Sequence, residues 1–288
     1  MEEKKKFIKE LTAGDIVTSF FFLEKMTLRT NRNTGQKFIE LILRDKSSSI
    51  LALVLANAEE KFLKISEKSV VKIRGNVGSK NNKKFLTIDK IRLITSEDEI
   101  SSYDLIPSST KTSEQILKAL EFKAKHFKNI YLQRLCEFFF ADEILLKKFF
   151  KAPASLEGNH NFLGGLAEHT FGVVKVCELL AEQYQNLNKE LLITAAIFHK
   201  VGKIEEYIYE THLDFSEQGK LIGYIPTSLH ILEKGFDKIL DFPIKISSSL
   251  KHLILAQDKK FIKETLLLEA EVLQIAIEID VLLNKPKV

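Results

Sequence analysis

The sequence predicts a two-domain α+β protein, a small β-barrel followed by an all-α domain. Three observations carry that expectation. Residues 15–95 break into short runs of alternating apolar and polar residues, separated by turn-forming stretches. From residue 114 onward almost every segment has helical spacing instead. The charge is also divided: residues 1–95 carry 20 Lys and Arg against 11 Asp and Glu, and the rest of the chain carries 23 against 28. A length of 288 residues suits two modest domains better than one.

The barrel elements follow in order. DIVTSFFFLEKMTLRT (15–30) supplies a long first strand, and KFIELILRD (37–45) alternates as a half-buried strand does. SSSILALVLA (47–56) follows a serine turn and is expected to pair with it. NAEEKFLKIS (57–66) has the spacing of one short helix. SVVKIRGNV (69–77) and KFLTIDKIRLIT (84–95) form a second pair across GSKNNK (78–83). Five strands with a helix between the third and fourth is the plan of an OB-fold, here assigned to residues 1–95.

OB-folds hold single strands with cations and aromatic platforms. Lys25, Arg29, Arg32, Lys37 and Arg44 gather on the first two strands and their loop. Lys83 and Lys84, with Lys80, sit on the last hairpin. These seven, Lys80 aside, are the candidate nucleic-acid contacts. Phe20, Phe21, Phe22, Phe38 and Phe85 suit either base stacking or the barrel core. A basic front on an acidic remainder points to a polyanionic partner, against the plainer reading of a solvated lysine-rich surface.

SEDEISSYDLIPSSTKTS (96–113) reads as a polar linker, and Thr112 with Gln115 fits a helix capping box. The helical domain is assigned to residues 114–288. Amphipathic helices are expected within 114–152, then a glycine-containing entry into a long helix at 159–184, a helix at 189–207, and others near 227–240, 246–256 and 261–284. Cys136 and Cys177 stand far apart, which suits two reduced, buried thiols and no disulfide framework. No apolar run approaches the roughly 18–20 residues that span a bilayer. The N-terminal MEEKKKFIKE lacks a signal peptide's apolar segment, so a cytoplasmic protein without a membrane partner is expected.

HNFLGGLAEHT (160–170), AAIFHKVGKIEEY (195–207), GKLIGYI (219–225), LKHLILAQDKK (250–260) and EAEVLQIAIEID (269–280) occur in an order that resembles an HD-domain phosphohydrolase. With the barrel in front, the chain is similar to the YhaM-type 3′–5′ exoribonucleases. The resemblance implies one or two divalent metals, held by His and Asp side chains from several helices, that activate water and neutralise phosphate charge. It places a first ligand on His169 and the histidine of the His-Asp pair on His199. Beyond these the pattern departs. The paired aspartate falls on Lys200, an expected histidine on Tyr224, tandem histidines on Gln257 and Asp258, and a terminal aspartate on Ile277.

Lys200 puts a cation where a dication should sit, a repulsion of several kcal/mol even at an effective dielectric of about 20. Its ammonium is a candidate stand-in for the metal, paired with whatever carboxylate remains. A rebuilt ligand set would be His169, His199, Asp258 and Asp280, with Asp280 about 60° round and about 4.5 Å along the helix from Ile277. Lys203 matches the family's Gly-Lys step, as a phosphate contact or as a solvated lysine past a helix end. Glu205 and Glu206 are expected to be exposed. His160 and His252 match the family pattern in supporting positions, and His126, His212 and His230 have no companion motif.

The expectation is therefore a binder of single-stranded nucleic acid, RNA first, related to the exoribonucleases. Its HD site is read as catalytically degenerate, with no cofactor and with His169, His199, Lys200 and Lys203 as remnants. The resemblance also suggests a homo-oligomer. Two alternatives stay open. One is an active exonuclease or phosphodiesterase with an atypical ligand set and Mn2+ or another divalent cation. The other is a protein-interaction scaffold.

Overall fold

The computed structural model describes residues 6–109 and 111–284. The chain divides into two compact units: one runs to Pro107 and includes Glu210–His212, and the other holds Ser108–Tyr209 and the chain from Leu213.

The first unit is a closed barrel. Its strands are β1 (Ile16–Thr30), β2 (Lys37–Arg44), β3 (Ser49–Val54), β4 (Ser69–Lys80) and β5 (Lys83–Leu93), in spatial order β1-β2-β3-β5-β4. Only β3 and β5 pair in parallel. Helix α1 (Ala58–Lys64) lies between β3 and β4 in the chain. That strand order, with that helix, is the OB-fold. β1 serves two partners: Ile16–Leu23 pair with β4 and Phe22–Thr30 with β2, with a bulge between Leu23 and Lys25. The bulge bends the strand and lets one sheet close on itself.

Alternation sends Phe21, Leu23, Leu41, Leu43, Ile73 and Leu86 into the barrel interior. Phe22 is buried as well, while Phe20, Phe38 and Phe85 are half-buried. The turn between β4 and β5 is shorter than 78–83. The strands run to Lys80 and from Lys83, leaving only Asn81 and Asn82, both with positive φ (51° and 60°). Asparagine tolerates this left-handed backbone, which a two-residue hairpin of matching twist requires. The 96–113 segment contains a short helix α2 (Ser102–Leu105), and Leu105 and Ile106 are buried.

The second unit is helical: α3 (Ser113–Lys125), α4 (Ile130–Ala141), α5 (Glu143–Lys151), α6 (Gly165–Gln183), α7 (Lys189–Phe198), α8 (Lys203–Glu206), α9 (Glu217–Leu221), α10 (Tyr224–Lys238), α11 (Ile244–Leu255) and α12 (Leu268–Leu283). A two-stranded ribbon, β6 (Tyr207–Ile208) and β7 (Asp214–Phe215), follows α8. Helix α7 is apolar all round, and Leu191 through Phe198 are all buried. Such a helix belongs at the centre of a bundle; α6, α11 and α12 pack on it. Asn129, Asp142 and Asn188 cap α4, α5 and α7 by accepting from backbone N–H groups. Thr112 does not cap α3 with its side chain, so the expected capping box is absent. Cys136 and Cys177 are free and buried, and burial pushes both thiols up to about 12.

Candidate functional site

Entry into α6 depends on two glycines. Gly164 has φ +83°, and a Cβ on Gly165 would lie 2.1 Å from the carbonyl oxygen of His160. This close turn brings His160 back over the start of the helix that carries His169. This geometry is the form taken by the expected glycine-containing entry into the long helix.

His169 (α6), His199 (end of α7), Asp280 (α12) and His160 meet inside the helical unit, and all four are buried. Asp280 Oδ2 accepts from His169 Nδ1 at 2.6 Å and from His160 Nε2 at 2.9 Å. His199 Nδ1 donates to the Ala196 carbonyl at 2.7 Å. Each of these bonds fixes a tautomer, leaving Nε2 of His169 and of His199 as lone-pair acceptors. The two Nε2 atoms lie 3.1 Å apart. Lys200 Nζ lies 3.0 Å from His169 Nε2 and donates to it.

This is the orienting pattern of metal-binding imidazoles, each N–H tied back to a carboxylate or carbonyl. Against the His169 lone pair stands an ammonium group. Burial, above all, pushes His169 down to about 4 and holds His199 well below its ordinary value. Both are therefore neutral at pH 7. Burial also lowers Lys200, to about 8, while Asp280 and Glu206 pull it upward, so it stays charged at pH 7. The Asp280 carboxyl resists the penalty of its own burial, because the His160 and His169 hydrogen bonds hold it down at about 2.

The arrangement differs from the sequence reading at named positions. The α12 carboxylate facing His169 is Asp280, not position 277. Lys200 reaches an imidazole, not a carboxylate. Among the described residues the side chains of metal-ligating type that cluster are His160, His169 and Asp280, with ligand atoms within 4.8 Å of one another. Asp258 is outside this cluster and accepts from the Lys260 backbone N–H. Gln257 donates to the His199 carbonyl at 3.0 Å and so braces that residue.

Lys203 is buried and is not solvated. Its ammonium donates to Glu206 at 2.8 Å and to the Tyr207 hydroxyl, and lies 4.5 Å from the Tyr224 ring centroid. Glu206 is buried too, contrary to its expected exposure, and also accepts from the Tyr224 N–H. Glu205 pairs with Lys148 on the surface.

On the barrel, the seven predicted cations divide. Arg29 pairs with Glu40 at 2.8 Å and Lys37 with Glu59. Lys84 donates to the Leu11 and Lys9 carbonyls. Arg44 lies 5.5 Å from the Phe22 ring centroid, and its Nε is buried without a hydrogen-bond partner. Lys25, Arg32 and Lys83 are exposed. Sequence reasoning passed over Lys72, Arg74, Lys90 and Arg92, which line a groove of about 380 Å³ on β4 and β5. The missed signal was Lys-Ile-Arg, present in both strands at 72–74 and 90–92.

Residues 166–280 match the family model of the HD domain. The helical unit contains an HD domain. Around it, the chain is related over most of its length to proteins named 3′–5′ exoribonuclease YhaM. One from Geobacillus sp. (strain WCH70) is 27% identical over 288 residues, 97% of this chain and 86% of that protein. One from Listeria monocytogenes serotype 4b (strain CLIP80459) is 26% identical, covering 93% of this chain and 86% of that protein. Among solved structures, the second OB-fold domain of replication protein A from Methanococcus maripaludis is 19% identical, covering 33% of this chain and 98% of that one, with a TM-score of 0.24. PriB from Ralstonia solanacearum is 14% identical, covering 29% and 100%, with a TM-score of 0.25.

Proposed function

We propose that this protein binds single-stranded nucleic acid, RNA first, through its basic barrel, and that its HD domain is catalytically inert. The observation that carries the second half is the Lys200 ammonium 3.0 Å from His169 Nε2, beside His199. A protonated lysine has no lone pair to offer a metal. A dication at the same focus would face a like charge at contact distance. In this arrangement the donor set does not fit a divalent cation, and the ammonium takes over its electrostatic role. For the first half, the support is the excess of Lys and Arg on the barrel, the exposed Lys25, Arg32 and Lys83, and the kinship with exoribonucleases.

An active exonuclease is the competing reading. It is favoured by the two imidazoles, whose lone pairs converge as ligands would. One experiment separates the two: metal content of the purified protein, then a time course on 3′-labelled and 5′-labelled single-stranded RNA with added Mn2+. The inert binder retains RNA on the protein at low salt, carries no stoichiometric metal and leaves the RNA intact. Progressive 3′ shortening, lost in His199→Ala, would overturn it. Retention of no RNA would leave a protein-interaction scaffold. Cytoplasmic residence and self-association are parts of the same proposal. Among the described residues no helix is long and apolar enough to cross a membrane.

A further inference from the structure

The sequence Lys-Ile-Arg occurs twice in the barrel, and the two copies face each other. β4 and β5 are antiparallel, with Lys72 opposite Arg92, Ile73 opposite Ile91 and Arg74 opposite Lys90. Alternation turns Ile73 into the core and the four cations outward. The result is a patch with near twofold symmetry, built of two cross-strand rows of like charge. β1 extends the rows, with Thr18 beside Arg74 and Phe20 beside Lys72. Thr18 and the two Lys-Ile-Arg triplets line the groove of about 380 Å³.

Like charges placed directly opposite destabilise a strand pair. One row is compensated. Asp98 takes a bidentate grip on Arg92 at 2.6 and 2.8 Å and lies 3.7 Å from the Lys72 ammonium. The other row is not: among the described residues, neither Arg74 nor Lys90 has an acidic partner, and both are exposed. Folding alone gives no reason for an uncompensated Arg–Lys pair at this position. A register shift beside Arg74, where β5 carries one extra residue, sets this pair at a bend in the sheet. The free guanidinium fork matches the paired oxygens of a phosphate, and a neighbouring ammonium adds a point charge.

We propose that the β1–β4–β5 face is a second track for the backbone of single-stranded nucleic acid, in which Arg74 and Lys90 clamp a phosphate. The two cation rows are two residues apart along the strands, about 7 Å. That spacing suits a linear chain of anions better than one isolated ion. The clamp uses none of the seven cations predicted on β1, β2 and the β4–β5 hairpin, and it rests on the nucleic-acid reading above.

The test is fluorescence anisotropy of the full-length protein with a labelled single-stranded oligouridylate, titrated over a range of salt. Arg74→Ala/Lys90→Ala is expected to weaken binding roughly tenfold and to flatten the log–log salt dependence by about 1. Arg74→Lys/Lys90→Arg, which keeps both charges, is expected to keep most of the affinity, so that a loss caused by misfolding is distinguished. Lys147→Ala/Lys245→Ala removes equal charge from the helical unit and is expected to leave binding unchanged. If wild type binds but the Arg74/Lys90 variant matches it in affinity and salt slope, the second track is refuted while the function above stands. An equal loss in the Lys147/Lys245 variant also refutes it, because binding would then follow net charge alone. If wild type binds no oligouridylate, both proposals fail together.

Discussion

Asp280 on α12 accepts a 2.6 Å hydrogen bond from His169 on α6, joining helices 111 residues apart in the chain. The same oxygen also holds His160, so one carboxylate fixes two buried rings. Asp280→Asn should remove the charge from both bonds. The expected loss is about 1.5–3 kcal/mol per bond, read as a lower urea midpoint at unchanged slope.

Gly172 makes room for that carboxylate. A Cβ there would lie 2.0 Å from Asp280 Oδ1. In an unobstructed helix Gly→Ala stabilises by about 1 kcal/mol. Here Asp280 is held by both histidines and by Asn284, so it cannot withdraw. Gly172→Ala should reverse the usual sign and destabilise by about 1–3 kcal/mol. Thermal unfolding compares the two directly.

Stability should fall on acidification between about pH 6.5 and pH 4. Burial lowers His169 to about 4 in the folded chain, so across this window the unfolded chain binds the extra proton. The groups facing the ring are Asp280, His160, His199 and Lys200. His199 shifts in the same direction. Asp280, lowered to about 2, adds a further loss below about pH 4. Urea midpoints measured across this range should decline steadily, and a flat profile from pH 6.5 to 4 would contradict the buried neutral rings.

Lys200→Asp should restore an anion beside the two Nε2 lone pairs. Added Mn2+ is expected to raise the melting temperature of this variant and to leave wild type unmoved. Saturation at 100 times the dissociation constant corresponds to about 2.7 kcal/mol. Metal analysis after desalting provides the second readout.

Lys200→Met should separate charge from packing. It keeps an unbranched side chain but leaves two buried imidazole lone pairs facing each other without a donor. The cost of an unsatisfied buried acceptor is about 1–3 kcal/mol. Chemical denaturation at pH 7 measures it.

Much of the architecture was readable in advance because strands and helices leave different periods. The alternation of 37–45 gave its strand, while the helix expected over 189–207 stops at Phe198 and resumes only as a short turn at Lys203–Glu206. The OB-fold plan followed from the helix expected at 57–66, between the third and fourth strands, which forms at Ala58–Lys64. In the site, His169 and His199 stood in motifs that fixed them. The resemblance put the terminal aspartate at Ile277, one turn before the Asp280 already named in the rebuilt ligand set, since α12 is rich in apolar residues and spacing alone does not tell which position faces α6. Lys203 admitted a phosphate contact or a solvated lysine and Glu206 an exposed charge, because sequence does not reveal that the two pair in a buried site. The Lys-Ile-Arg triplets carried no meaning singly. Their significance arises from antiparallel register, which brings positions 74 and 90 together.

An ammonium borne on a polypeptide stem is delivered with the chain itself. Chelators have nothing to extract from it, and scarcity of manganese or iron does not empty it. With Lys200 against His169, the helical body carries its own cation and its shape does not follow the supply of dissolved metal.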